Sequence, residues 1–192
     1  MPSEREWVHA LIPKIQSQFN QRQSGRRLSV EDGYRLAYAL EIQGHNADGS
    51  AITSSALYET DLCISELDRS GRKIPRVVVE CKMRRITTHT VLAYSTKAAT
   101  HKSVYPYLRY GFLAGARRHY GVPARLLRHG SEFDFLCTWR GLRPSSVELE
   151  IFVNLLRKEV DASRKLQEIF TESRLRDRVR YRTIHRQLRL SE

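Results

Sequence analysis

Residues 58–83 read YETDLCISELDRSGRKIPRVVVECKM, and this stretch decides the fold. Residues 58–67 and 76–83 have the composition of two β-strands, and the polar, turn-forming residues 68–73 join them. We therefore predict a hairpin. Its second strand contains three consecutive valines, and such a β-branched run favours a buried position in a sheet.

Two residues of opposite charge lie at the end of this buried strand. Side chains alternate along a strand, so Glu80 and Lys82 share a face, with Cα atoms about 7 Å apart, while Cys81 points with the valines towards the core. Unpaired charges are costly to bury, and Asp61 on the preceding strand is the natural third charge. Two carboxylates that converge from paired strands form an all-oxygen site suited to Mg²⁺. An ion pair on a solvated sheet edge is the alternative.

Thr60-Asp61, and Glu80-Cys81-Lys82 after an apolar run, resemble the motif of the PD-(D/E)xK nuclease superfamily, which has a restriction-endonuclease-like fold. The resemblance covers residues 30–140, with Thr60 at the position of the nominal proline. It implies an α/β fold with a mixed central β-sheet flanked by helices. We therefore predict a nuclease-like core over residues 1–144 and a helical, arginine-rich C-terminal extension over 145–192, packed on the same domain.

The resemblance also implies a metal site. Asp61 and Glu80 would hold Mg²⁺, for which Mn²⁺ can substitute, and the main-chain carbonyl of Cys81 would add a ligand. Lys82 would position the attacking water and offset the charge of the phosphorane. The catalytic residues implied are thus Asp61, Glu80 and Lys82.

A helix is predicted from Ser29 to Gly44, because acidic residues follow Ser29 in what would be the first turn. In the resembled family a helix before the first strand often supplies an extra acid to the metal site. Glu41 would take this role, and Glu59 is its rival. Either residue would otherwise be a solvated surface acid.

The charge predicts a polyanionic partner. The chain carries 33 Lys and Arg residues, only 7 of them Lys, for a net charge of +12. The planar fork of arginine suits phosphate, although a GC-rich genome also enriches arginine. The segment 172–192, with seven arginines and three acids, is predicted to be an electrostatic tail that binds nucleic acid or a solvated helix end. Further nucleic-acid-binding candidates are His89, Lys97 and Lys102 on the helix after the motif, and Arg117, Arg118, Arg125 and Arg128 in a basic loop.

Other elements follow from periodicity and caps. Helices are predicted over residues 4–20 and 90–104, the second capped by Thr87 or Thr88, and from Ser145 or Ser146 onwards, with Glu148 in its first turn. Strands are predicted over 107–114 and 133–139. The apolar stripe of the last helix would cover the domain or form a dimer seam.

Cysteine usage and hydropathy indicate the cellular compartment of the protein. The three cysteines lie in apolar runs without C-x-x-C spacing, which indicates reduced core residues and makes a zinc site an unfavourable interpretation. No apolar run reaches the length of a membrane span, and the N-terminus has no signal-peptide core. We therefore expect a cytoplasmic protein without a membrane partner.

Together these features predict a Mg²⁺-dependent DNA endonuclease of a restriction, defence or DNA-processing type. A basic nucleic-acid-binding module without chemistry is the alternative, although such a module would not need Asp61, Glu80 and Lys82 together. A homodimer or a subunit of a larger nucleoprotein complex is compatible with either function.

Overall fold

The computed structural model describes residues 2–21, 26–116 and 121–173. Within these residues five strands form a central sheet in the order β1-β4-β5-β6-β7. The pairs β1/β4 and β4/β5 are antiparallel, while β5/β6 and β6/β7 are parallel. The strands are β1 (Leu28–Glu31), β4 (Leu62–Leu67), β5 (Lys73–Met83), β6 (Arg109–Gly115) and β7 (Phe135–Thr138).

Helices cover both faces of the sheet. On one face, α1 (Glu4–Gln21) and α4 (Ser146–Glu172) share a core with Val77, Val79 and Cys81 of β5. On the other face, α2 (Thr88–Val104) and α3 (Ala124–His129) pack over β5 and β6. The strands β2 (Arg35–His45) and β3 (Ala51–Glu59) form a separate antiparallel hairpin that contacts α2.

These observations confirm the prediction of an α/β chain with a mixed central sheet flanked by helices. The predicted alternation in β5 is also confirmed, since Val78 belongs to the core under α2 and its two valine neighbours belong to the core under α1 and α4. Thr87 caps α2, and Ser145 caps α4 in a reciprocal capping box with Glu148. All three cysteines are free thiols.

The predicted helix from Ser29 to Gly44 is wrong, because this segment forms β1, a turn and β2. The apolar residues from Tyr34 to Ile42 recur at every second position, which is the period of a strand. Gly33 makes the turn with a φ of 64°, in the left-handed region that glycine adopts without strain. The single strand predicted over 58–67 is likewise divided, since Thr60 and Asp61 separate β3 from β4.

The described part of the C-terminal region is integral to the core. Phe152, Leu156 and Val160 of α4 are fully or almost fully buried against the sheet and α1. None of the described helices is long and apolar enough to cross a membrane. Arg117 and Arg118, and the tail from residue 174 onwards, lie outside the described residues.

The packing of α4 predicts the effect of truncating its core residues. Phe152→Ala should lower the free energy of unfolding by about 3–5 kcal/mol, because it removes a fully buried aromatic ring and leaves a cavity. Val147→Ala, at a position 63% exposed on the same helix, should change it by less than about 0.5 kcal/mol. Urea denaturation of both variants measures the difference, and equal effects would contradict an integral role for α4.

Candidate functional site

The segment between β3 and β4 positions Asp61. Thr60 is buried, and its main-chain N–H and side-chain hydroxyl both donate to the carbonyl of Tyr34, at 3.0 and 2.9 Å. Its own carbonyl accepts from the N–H of Gly33. These bonds fix the chain just before Asp61, so that Oδ2 of Asp61 accepts from the N–H of Cys81 on β5 at 2.8 Å.

The second carboxylate lies beside the first. Leu62 pairs with Val79 in the β4/β5 ladder, which places Asp61 across from the β5 residue that follows, Glu80. Glu80 is 1% exposed, and its charge acts on the carboxyl group of Asp61 across the hairpin. Oε1 of Glu80 also accepts from the hydroxyl of Tyr110 on β6 at 2.5 Å. The two acids that the sequence predicts to converge are therefore adjacent in space.

Burial and the neighbouring carboxylate change the protonation of this pair. Burial, and then the charge of Glu80, raise the pKa of Asp61 from 3.8 to about 7. The N–H of Cys81 opposes the rise, because it stabilises the ionised carboxylate. Burial and the charge of Glu80 also raise the pKa of Tyr110, which keeps the phenol protonated as a donor. Asp61 therefore binds a proton near neutral pH that an isolated aspartate would lose.

The lysine that contacts this pair is Lys97 of α2. Its Nζ lies 2.8 Å from Oε1 of Glu80 and donates to the main-chain carbonyl of Glu59 at 2.7 Å. The side chain is only 17% exposed. Lys97 was predicted as a phosphate contact, but the structure places it within the acid cluster.

Lys82 is directed to a different acid. Its Nζ forms an ion pair with Oε1 of Glu4, at the start of α1, at 2.9 Å. The other oxygen of Glu4 accepts from the N–H of Met83 at 2.9 Å. Lys82 thus lies on the predicted strand, two residues after Glu80, while its ammonium group is bound to Glu4. Sequence reasoning missed Glu4, since nothing in the local pattern relates α1 to the end of β5.

A cavity opens beside Asp61, with a volume of about 260 Å³. It is polar, since acids from three separate segments reach it together with Arg5. The residues that line it are Glu4, Arg5, Val8, Asp32, Gly33, Glu59, Thr60 and Asp61. Asp61 thus has a buried side towards Glu80 and an accessible side towards this cavity.

The carboxylates fit a hard divalent cation in their chemistry. Asp61 and Glu80 supply oxygen donors, and burial together with the charge of Glu80 makes ionised Asp61 costly unless a cation binds there. Within the described ranges, however, no group of three or more His, Cys, Asp or Glu side chains is arranged to hold a metal ion. A cation would therefore need main-chain or solvent oxygens besides the two side chains.

The two candidates for an extra acid have different positions. Glu41 is exposed in the middle of β2, where it pairs with Ser54. Arg35, at the start of β2, pairs with Glu59, and Glu41 lies six residues further, about 20 Å along the strand. The structure does not bring Glu41 to Asp61, whereas Glu59 lines the cavity with it. The helix on which the choice of Glu41 rested is a strand.

The residues predicted to bind nucleic acid differ in their surroundings. Lys102 is held by Asp134 at 3.0 Å, and Nη1 of Arg125 donates to the carbonyl of Ile86 at 2.7 Å. His89 is exposed on the first turn of α2, and Arg128 is exposed on α3. Of the described candidates, Lys97 and Lys102 therefore have internal acidic partners.

Sequence reasoning missed a group of arginines beyond the carboxyl ends of the parallel strands. Arg84 and Arg85 follow β5, while Arg140 and Arg143 follow β7, and all four are exposed. The strand ends are side by side, because Arg84 N–H donates to the carbonyl of Gly115 and Ala116 N–H donates to that of Gly141. We call these four arginines the arginine rim. The two adjacent arginines that follow Met83 in the sequence are the signal that could have found this group.

Comparison with known proteins adds no assignment. No protein-family model matches the chain, and the search of curated proteins gave no match.

The raised pKa of Asp61 predicts a pH-dependent effect on stability. Because the folded-state pKa lies above the unfolded value, the stability that protonated Asp61 contributes is complete below about pH 4 and is lost as the pH rises through 7. Asp61→Asn removes this dependence. The variant should gain stability relative to wild type between pH 5 and 8, by at most about 4 kcal/mol.

Urea denaturation at several pH values measures this gain. Asp68→Asn is the matched control, because hydrogen bonds from Ser70 and Arg72 lower the pKa of Asp68 and it stays ionised throughout this range. Its difference from wild type should not change with pH. A constant difference for Asp61→Asn would contradict the raised pKa.

Proposed function

We propose that the chain is a metal-dependent endonuclease that hydrolyses phosphodiester bonds of DNA, of a restriction, defence or DNA-processing type. The observation that carries this proposal is the position of Asp61 across the hairpin from Glu80, beside the ammonium group of Lys97. The hairpin β4–β5, followed by the crossover helix α2 and the parallel strand β6, supports a restriction-endonuclease-like core.

Asp61 and Glu80 would hold Mg²⁺ or Mn²⁺, with a main-chain oxygen near Cys81 as a further donor. When bound, the ion would supply Lewis acidity that activates water and stabilises charge on the leaving oxygen. Because Asp61 binds a proton near pH 7, binding of the ion should release that proton. The affinity for Mg²⁺ should therefore rise with pH up to about 8.

The other side chains orient this pair. Tyr110 donates to Glu80 and holds its carboxyl group towards Asp61, while the N–H of Cys81 holds Asp61. Lys97 offsets the negative charge and is close enough to Glu80 to donate to a phosphate oxygen that reaches the pair. We assign to Lys97 the electrostatic role that the sequence motif implied for Lys82.

The DNA would approach the carboxyl edge of the parallel strands. Ligands of open α/β sheets bind at this edge, and the arginine rim borders it. Guanidinium groups bind backbone phosphates without reading sequence, in a salt-dependent manner. The net charge of +12 favours this approach at long range.

A nucleic-acid-binding module without catalysis is the second candidate. It is favoured by the contacts of Glu80, whose Oε1 already accepts from Tyr110 and Lys97. In that case the acid cluster would be a structural ion network. The two functions differ in their dependence on metal.

Cleavage assays on plasmid, linear, single-stranded DNA and RNA, in Mg²⁺ or EDTA, test the proposal. Asp61→Ala and Glu80→Ala should each reduce cleavage about a thousandfold or more, while DNA affinity is retained, because the loss of a ligand removes several kcal/mol of transition-state stabilisation. Glu41→Ala is the control and should cleave like wild type. Metal-independent activity, or full activity of both alanine variants, would contradict the assignment.

Lys97 and Lys82 can be distinguished by methionine substitutions, which keep the stem and remove the charge. Lys97→Met should reduce cleavage by about 10²–10³, the usual effect of losing one charge-stabilising donor. Lys102→Met is the matched control on the same helix, because Lys102 pairs with Asp134 and should affect stability alone. Cleavage lost in Lys82→Met and kept in Lys97→Met would return the catalytic role to Lys82.

A further inference from the structure

The hairpin β2–β3 has no Lys or Arg between its ends. Residues 36–68 contain no Lys or Arg, although the chain has 33 such residues, and this is the longest run without one. Residues 36–58, which we call the arm, carry Glu41 and Asp48 as their charged side chains, a net charge of −2. The remainder of the chain therefore carries +14, since the total is +12. The arm is not built to bind a polyanion.

The base of the arm is packed, and its outer part is exposed. Leu36 and Ala37 are buried, and Nδ1 of His101 on α2 lies 3.1 Å from the carbonyl of Ala37. Further along the same strand, Leu40 and Ile42 are 66% and 65% exposed. Such exposure of large aliphatic side chains on a two-stranded ribbon indicates a surface that another molecule covers.

These side chains share one face of the arm. Leu40 pairs with Ser55 and Ile42 pairs with Thr53, and residues directly opposite in a ladder point to the same side. Leu57 follows on this side because side chains of β3 alternate. We call Leu40, Ile42, Thr53, Ser55 and Leu57 the outer face. All five are exposed, and none is charged.

The opposite face is directed towards α2, because a register shift in β2 between Ala37 and Ala39 puts Tyr38 and Leu40 on different sides of the arm. Tyr58 stacks on Tyr38 with ring centroids 3.8 Å apart, and both rings contact His101 of α2 edge-on. Glu41 lies on a different side from its neighbours Leu40 and Ile42, by the alternation of the strand. The outer face is therefore turned away from the body of its own chain.

We propose that the outer faces of two copies of this chain pack against each other and form a dimer through their arms. A two-fold interface brings the same surface of both copies together, and this uncharged face of three aliphatic and two hydroxyl side chains can pack on itself without like-charge repulsion. The arm is also where two such chains approach at the lowest electrostatic cost, because the rest of each chain carries +14. A partner selected by charge would require charged groups on this face. The proposal goes beyond the nuclease assignment and does not depend on it.

Sedimentation equilibrium of the full chain, freed of nucleic acid, tests the dimer. Five outer-face side chains from each copy would make a small interface, so a micromolar dissociation constant is expected. The dimer should strengthen between 0.1 and 0.5 M NaCl, because salt screens the repulsion of two basic chains. A dimer bridged by residual DNA would instead weaken with salt. A wild-type chain that is monomeric at about 100 µM, or a dimer lost at 0.5 M NaCl, would overturn the proposal.

Substitutions on the two faces locate the interface. Ile42→Glu and Leu40→Glu should each raise the dissociation constant roughly thirtyfold or more, the effect of losing a central contact residue. Ile52→Glu is the matched control, because Ile52 is 44% exposed on the opposite face of the same arm, and it should leave the dimer unchanged. Circular dichroism verifies that each variant is folded.

Two results would refute this interface. One is a folded Ile42→Glu or Leu40→Glu variant that dimerises as wild type does. The other is a monomeric wild type whose DNA affinity falls in Ile42→Glu, which would assign the outer face to nucleic acid.

Discussion

The burial of two carboxyl groups side by side is the constraint on which the rest of the structure depends. The β4/β5 ladder forces Asp61 and Glu80 together, and each must find donors to offset the loss of water. The donors come from three directions: the N–H of Cys81, the hydroxyl of Tyr110 and the ammonium group of Lys97. The position of β6 and the rotation of α2 about its axis therefore have to suit these contacts as well as the apolar core.

This requirement connects the site to the chain topology. The hairpin supplies the acids, the crossover helix supplies the lysine, and the next parallel strand supplies the phenol, so consecutive elements build one cluster. The helix α1 then closes the edge through Glu4, which binds Lys82 and the N–H of Met83. Because the parallel strands end at this edge, the arginines that follow them border the same region. The site and the basic surface are thus products of a single sheet.

Charge is distributed unevenly over the molecule, and the distribution separates two kinds of surface. The arginine rim lies at the carboxyl edge of the sheet, whereas the arm carries no Lys or Arg and exposes aliphatic side chains. A polyanion is attracted to the first surface, while the outer face of the arm has no charged side chain to attract it or to repel another copy. The proposed nucleic-acid binding and the proposed self-association would therefore occupy different parts of one small chain.

The sequence by itself determined the features that depend on neighbouring residues. Period-two alternation directed Val78 and Val79 to opposite faces, the short turn of the hairpin brought Asp61 to Glu80, and local side chains capped α2 and α4. Residues 34–42 show the same alternation, but the acidic residues after Ser29 also resemble the first turn of a helix, so local sequence alone predicts two different elements there. Tertiary structure alone decided that Lys97 contacts Glu80, that Glu4 binds Lys82, and that Asp134 binds Lys102. Long charged side chains reach many positions, so their partners depend on how elements distant in sequence pack together.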